Sequence, residues 1–186
     1  MKRLFFALWP EQTARQQCEA IIAKLNSTGK PVTAANLHVT LLFLGHLPSE
    51  QQAAITRDAA RIPASLTSLT FDRLSFWKKP AVQCLTTDSV DQNIALLNEN
   101  LAAIAKRHGI VIDDRPFTPH VTLMKKARSA IDIAFNPIIW HSDGFCLVES
   151  CPGTDGVNYR ILKHWPSIKP LTPKQENKHA LFKTEY

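Results

Sequence analysis

Apolar positions along the chain fall mostly in short strand-like runs, and three stretches recur instead with helical spacing. Leu4 to Trp9 is a continuous apolar run and predicts a buried strand. From Glu11 onward Ala14, Cys18, Ile21, Ile22 and Leu25 mark one face of a helix that Gly29 ends. Leu37 to Leu44 predicts a strand closed by Gly45. Ser49 followed by Gln52 resembles a capping box opening a helix with Ile55, Ala59 and Ile62 inward, and Pro63 stops it. Leu66 to Trp77 and Ala81 to Thr87 predict strands joined at Lys78-Lys79-Pro80. Ile94, Leu97, Leu101, Ile104 and His108 then line a long helix ending at Gly109. Arg115-Pro116-Phe117-Thr118-Pro119 is confined to extended or turning backbone by its two prolines. Strands are expected beyond it at Ile133 to Trp140, Phe145 to Ser150 and Val157 to His164.

Written coarsely, the order is strand, helix, strand, helix, strands, and then strand, helix, strand, strands. That is a rough duplication. With strands in the majority and several linked as hairpins, an α+β fold of two similar lobes is expected. Residues 1–168 are read as one bilobal domain. The proline-rich, polar stretch 169–186 is read as a tail outside the core.

Each half contains the tetrapeptide His-Val-Thr-Leu, at His38-Val39-Thr40-Leu41 and at His120-Val121-Thr122-Leu123. A repeated tetrapeptide arises by chance in roughly one chain in ten of this length, so placement matters more than repetition. Strand alternation puts His38 and Thr40 on one side, and Val39 and Leu41 on the other. His120 and Thr122 follow the same rule. A single such pair is more simply a solvated strand surface; two copies at matching places argue otherwise.

Imidazole titrates near neutrality, so one histidine can act as a base while the other holds a proton. In-line displacement at phosphorus needs those two forms of help on opposite sides. The threonine hydroxyls can donate to the non-bridging oxygens. Such a centre requires no cofactor and no metal. A zinc site built on Cys146 and Cys151 lacks ligand spacing.

Composition narrows the setting. The chain has 186 residues, 45% hydrophobic and 20% charged, and a net charge of +6. No apolar run approaches the roughly 18–20 residues that cross a bilayer. Cys18, Cys84, Cys146 and Cys151 form no Cys-x-x-Cys pair, and buried thiols are expected. The basic residues fall in doublets, Lys78-Lys79, Lys106-Arg107 and Lys125-Lys126, which suit a phosphate pocket better than a long nucleic-acid arm. A cytoplasmic monomer is the expectation.

The paired His-x-Thr motifs resemble the signature of the two-histidine phosphoesterase superfamily, and the surroundings resemble its RNA 2',3'-cyclic phosphodiesterases, also called 2'-5' RNA ligases. The resemblance is carried by Arg3 to Pro10, Asn36 to Leu41, Phe43-Leu44-Gly45, Arg115 to Leu123, Leu147 to Ser150, Gly156, Tyr159, Leu162 and Trp165-Pro166. It implies a bilobal fold with both histidines in a central groove. It also implies hydrolysis of a terminal RNA 2',3'-cyclic phosphate to a 2'-phosphate. Some members join tRNA halves through a 2'-5' linkage. By analogy His38 would be the proton donor to the leaving 3' oxygen and His120 the proton acceptor from water, although the symmetry of the two motifs does not itself distinguish these roles. Thr40 and Thr122 would bind the phosphate. Family members often carry Arg shortly after the second motif, where this chain has Lys125 and Lys126, so Lys125 is the expected clamp without the planar fork of Arg.

Other residues have simpler readings. His46 fits a solvated loop, His108 a helix C-terminus, and His141 and His164 strand ends. Phe43 should face the core if its strand is regular. Trp77 beside Lys78-Lys79 is read first as core or rim and second as a base-stacking contact. Arg115 either touches substrate or holds its loop. Two alternatives stand beside the activity that the resemblance implies: another 2'-5' or cyclic-phosphate phosphodiesterase of the same superfamily, and, from a different class, a non-catalytic RNA-binding module whose binding would be indifferent to either histidine.

Overall fold

The computed structural model describes residues 1–25, 29–113, 115–153 and 156–167; the expected tail lies outside the described residues. In chain order the elements are β1 (Lys2–Leu8), α1 (Gln12–Lys24), β2 (Lys30–Pro31), β3 (Val39–Leu47), α2 (Ser49–Ala59), β4 (Thr67–Phe71) and β5 (Arg73–Trp77). They continue as β6 (Val82–Thr86), α3 (Gln92–Arg107), β7 (His120–Lys125), β8 (Ile138–Ser142), β9 (Gly144–Gly153) and β10 (Gly156–Pro166). A 3-10 turn at Ala34–Asn36 precedes β3.

Seven strands run in the order β10-β9-β1-β3-β7-β6-β5, with β2 paired to β7, and β4 and β8 make a separate two-stranded sheet. The two lobes are therefore halves of one sheet. Its seam is narrow: β3 and β7 share the single antiparallel rung Val39↔Val121. Beyond that rung β2 takes over, pairing Lys30↔Lys125 and Pro31↔Met124.

Alternation in β1 explains how the sheet is covered. Leu4, Phe6 and Leu8 enter the main core with Cys18, Ile21, Ile55, Leu101 and Trp140. Each such side chain contributes about 1.5–3 kcal/mol by leaving water. Phe5 and Ala7 point the other way and form a smaller apolar floor with Cys146 and Val148, edged by Trp9 and Tyr159. All four cysteines are free thiols, and three are buried.

Several elements differ from the sequence expectation. Leu66 to Trp77 divides at Asp72 into β4 and β5, which join different sheets. The strand expected from Ile133 begins only at Ile138. Ser49 does not cap α2; Pro48 holds the cap position with no side-chain bond. Asp91 caps α3, its carboxylate accepting from the Asn93 amide at 2.7 Å. His108 has a specific partner in Asp58 at 2.9 Å, which ties α3 to α2.

The two motif strands share one departure from strict alternation, and β3 has a second further on at Leu44. Opposite β1 the ladder steps from Thr40↔Ala7 to Leu42↔Phe6, leaving Leu41 as an extra residue. Opposite β6 it steps from Thr122↔Cys84 to Met124↔Gln83, leaving Leu123 extra. These are β-bulges at matching places, and a bulge reverses the facing of the residues that follow it up to the next irregularity. Two consecutive residues are thereby buried, Leu41-Leu42 and Leu123-Met124, and the next one emerges on the motif's open side. That residue is Phe43 in one half and Lys125 in the other. Phe43 is consequently 54% exposed, contrary to the core position expected for a regular strand.

Candidate active site

His38 stands immediately before β3, held by what precedes it. Its Nδ1–H donates to the Asn36 carbonyl at 2.7 Å. A carbonyl can only accept, so in the neutral ring the lone pair is on Nε2. There the Thr40 hydroxyl lies at 3.0 Å. Asn36 is itself clasped to the far edge of the sheet. Its side-chain amide donates to the Val157 carbonyl at 2.7 Å and accepts from the Tyr159 amide at 3.2 Å. The imidazole is thus aligned through a residue anchored on β10.

Three rings enclose His38. Trp9 stacks on it at 5.8 Å and 16°, Phe5 lies at 5.1 Å, and Tyr159 meets it edge-on at 4.9 Å. Burial in this box lowers its pKa to about 4, against a smaller upward pull from the Asn36 hydrogen bond. His120 and Lys125 also lower it, so both lie close enough for their charge to be felt.

His120 opens β7 and repeats the arrangement. Its Nδ1–H donates to the Thr118 carbonyl at 2.9 Å, again two residues upstream. Trp77 packs on its ring at 4.5 Å and 57°. Burial lowers its pKa from 6.5. Thr122 lies beside the Cys84 thiol, with sulfur and hydroxyl 3.7 Å apart. The rung Val39↔Val121 brings the two motifs side by side with His and Thr of each on the open face.

Lys125 reaches back toward the first motif, its ammonium 5.8 Å from the Tyr159 ring centre. His38, Thr40, His120, Thr122 and Lys125 therefore share one neighbourhood. Arg115 does not join them. It is 86% exposed and turned onto Asp113 at 2.8–2.9 Å. His164 pairs with Asp143 at 3.2 Å, away from the motifs. Among the described residues, no three His, Cys, Asp or Glu side chains gather to share a metal ion, and no helix is long and apolar enough to cross a membrane.

Asn36, Phe5, Trp9 and Tyr159 help carry the resemblance in the sequence, but the sequence reading gives none of them a role at the site. Asn36 and Tyr159 are 123 residues apart, and only the pairing of β10 shows that they meet.

Two imidazoles and two hydroxyls on adjoining strands of a bilobal sheet define a two-histidine phosphoesterase. The chain belongs to the family of LigT-like phosphoesterases. The family model described as LigT like Phosphoesterase matches residues 8–83. The Escherichia coli K12 protein named RNA 2',3'-cyclic phosphodiesterase is 32% identical over 172 residues, covering 88% of this chain and 96% of that protein. A Thermotoga maritima protein of the same name is 27% identical, covering 86% of this chain and 92% of its own. Among solved structures, Escherichia coli LigT complexed with 3'-AMP superposes with a TM-score of 0.83 at 32% identity, covering 90% of this chain and 99% of that one.

Proposed function

We propose that this protein hydrolyses the 2',3'-cyclic phosphate at an RNA end to a 2'-phosphate, with His38 and His120 as the proton-transfer pair. The observation that carries the reading is the repeated tether. Each Nδ1–H is committed to a backbone carbonyl two residues upstream, which leaves Nε2 of each ring for chemistry. A water oxygen attacks phosphorus while His120 Nε2 takes its proton. The P–O3' bond breaks, and O3' takes the proton carried by His38 Nε2. Thr40 and Thr122 donate to the non-bridging oxygens, and Lys125 adds charge on the His38 side.

In the unliganded site His38 is hard to protonate, because its apolar box disfavours the cation. An anionic phosphate beside Nε2 reverses that balance by Coulomb attraction, so substrate brings the donor into its working form. The relatives' names and the 3'-AMP complex of the Escherichia coli protein support a ribonucleotide substrate.

The roles are separable with a 3'-thio cyclic substrate, whose sulfur leaves without a proton. His38→Ala should lose activity on the oxygen substrate by about 10²–10⁴-fold and regain most of it on the thio analogue. His120→Ala should remain inactive on both. Full activity of either variant on the oxygen substrate would contradict the mechanism. The rescue appearing with His120→Ala would exchange the two roles.

A further inference from the structure

Two lysine doublets 47 positions apart in sequence converge at one corner of the sheet. Lys78-Lys79 forms the turn after Trp77, and Lys125 ends β7 with Lys126 just beyond it. The register Val82↔Lys125 places these two ends together, and the Ala127 amide donates to the Ala81 carbonyl at 2.9 Å across the gap. Lys30 pairs with Lys125 on the other side of β7. Arg128 follows two residues after Lys126, and Lys78, Lys79, Lys125, Lys126 and Arg128 are all exposed.

The backbone at this corner is also unusual. Ala81 has φ +65° and Lys126 φ +53°, the two non-glycine residues with positive φ among those described. Such conformations cost of order 1 kcal/mol or more and persist where the surroundings enforce them. Here they turn both ends so that the doublets come together.

The position of the corner relative to the site gives it a meaning. Lys125 extends from it to Tyr159, which touches His38. Lys125 therefore reaches the His38 side, while Lys78-Lys79 follows Trp77, whose ring packs on His120, so the corner borders both histidines. If His38 protonates O3', the ribose lies on the His38 side, which the corner borders through Lys125, and so does the phosphate linking that ribose to the preceding nucleotide. We infer that Lys78, Lys79, Lys126 and Arg128 form a track for the backbone phosphates of the RNA chain leading to the reactive end. This rests on the proposed hydrolysis and extends it from a terminal nucleotide to a single-stranded RNA chain. Stacking needs no part in it; charge alone gives sequence-independent binding with a salt dependence.

The test compares kcat/KM on 2',3'-cyclic AMP with that on an oligoribonucleotide of about six residues ending in a 2',3'-cyclic phosphate. The wild-type protein should prefer the oligomer, and added salt should erode the preference. Lys78→Ser/Lys79→Ser should lower the oligomer value about three- to tenfold and reduce its salt slope by about 1 to 2. Its rate on cyclic AMP should be unchanged. The charge-matched control Lys24→Gln/Arg57→Gln, on α1 and α2, should alter neither substrate. Equal loss on both substrates, the same loss in the control, or no wild-type preference for the oligomer overturns the track. If the wild-type protein turns over neither substrate, the hydrolytic reading fails, and the track falls with it.

Discussion

The backbone oxygen of Asn36 holds the His38 ring at 2.7 Å, while the Asn36 side chain grips the backbone of β10. One residue thus couples the geometry of the His38 imidazole to the outermost strand of its lobe.

Replacing Asn36 by Ala or Leu should lower kcat by about 10–100-fold and change KM by less than about threefold, since a misplaced group costs rate more than binding. Steady-state kinetics on a cyclic mononucleotide would show it. Equal loss in kcat and in folding stability, with an unmoved pH profile, would mean that the clasp is only structural.

Both histidines titrate below the ordinary 6.5, so the free site carries its single proton most readily under mildly acidic conditions. Bound phosphate raises both. The kcat/KM profile, which reports the free protein, should therefore peak at lower pH than the kcat profile. A kcat/KM that climbs steadily past pH 8 is incompatible with this order.

The same shifts bear on folding. Between about pH 6.5 and 4 the unfolded chain binds protons that the folded histidines refuse, so stability is full above that window and falls as pH drops through it. The histidine-linked loss is on the order of 3 kcal/mol and is complete by about pH 4. Urea denaturation of wild type and His38→Gln at several pH values measures it. The variant should show a flatter dependence.

Removing the Trp77 ring exposes His120 to water. In Trp77→Ala the His120 pKa should rise toward 6.5 in an NMR titration while that of His38 stays low. Similar movement of both would point to general loosening of the sheet.

Lys125→Arg should lower KM about two- to fivefold by presenting a planar fork to phosphate. Lys125→Met should raise KM and also raise the His38 pKa, because a nearby positive charge that now lowers it is gone. Unchanged binding in both variants would remove Lys125 from the site.

Much of this was readable in the chain. The paired motifs, their strands and the helices α1 and α3 follow from spacing, because burial on one face imposes a period; Gly109 does close α3, whereas β3 runs on through Gly45 to Leu47. The division of Leu66 to Trp77 was hidden, since both pieces are equally strand-like and the chain merely changes sheets at Asp72. Phe43 was misplaced because a bulge leaves no mark in an apolar run; Leu41-Leu42-Phe43 reads the same with or without it. The aromatic box around His38 depends on β1, β9 and β10 meeting, and the meeting of the lysine doublets depends on register.

The bulges after the two motifs carry a lesson for altering this protein. Each strand offers the site three addresses, namely the histidine, the residue two places on, and the residue five places on. The first two are identical in both lobes. The third is an aromatic in one and a cation in the other, delivered by the same backbone irregularity. Phe43 and Lys125 therefore occupy equivalent slots on a common frame, where a side chain can be exchanged without moving His38 or His120.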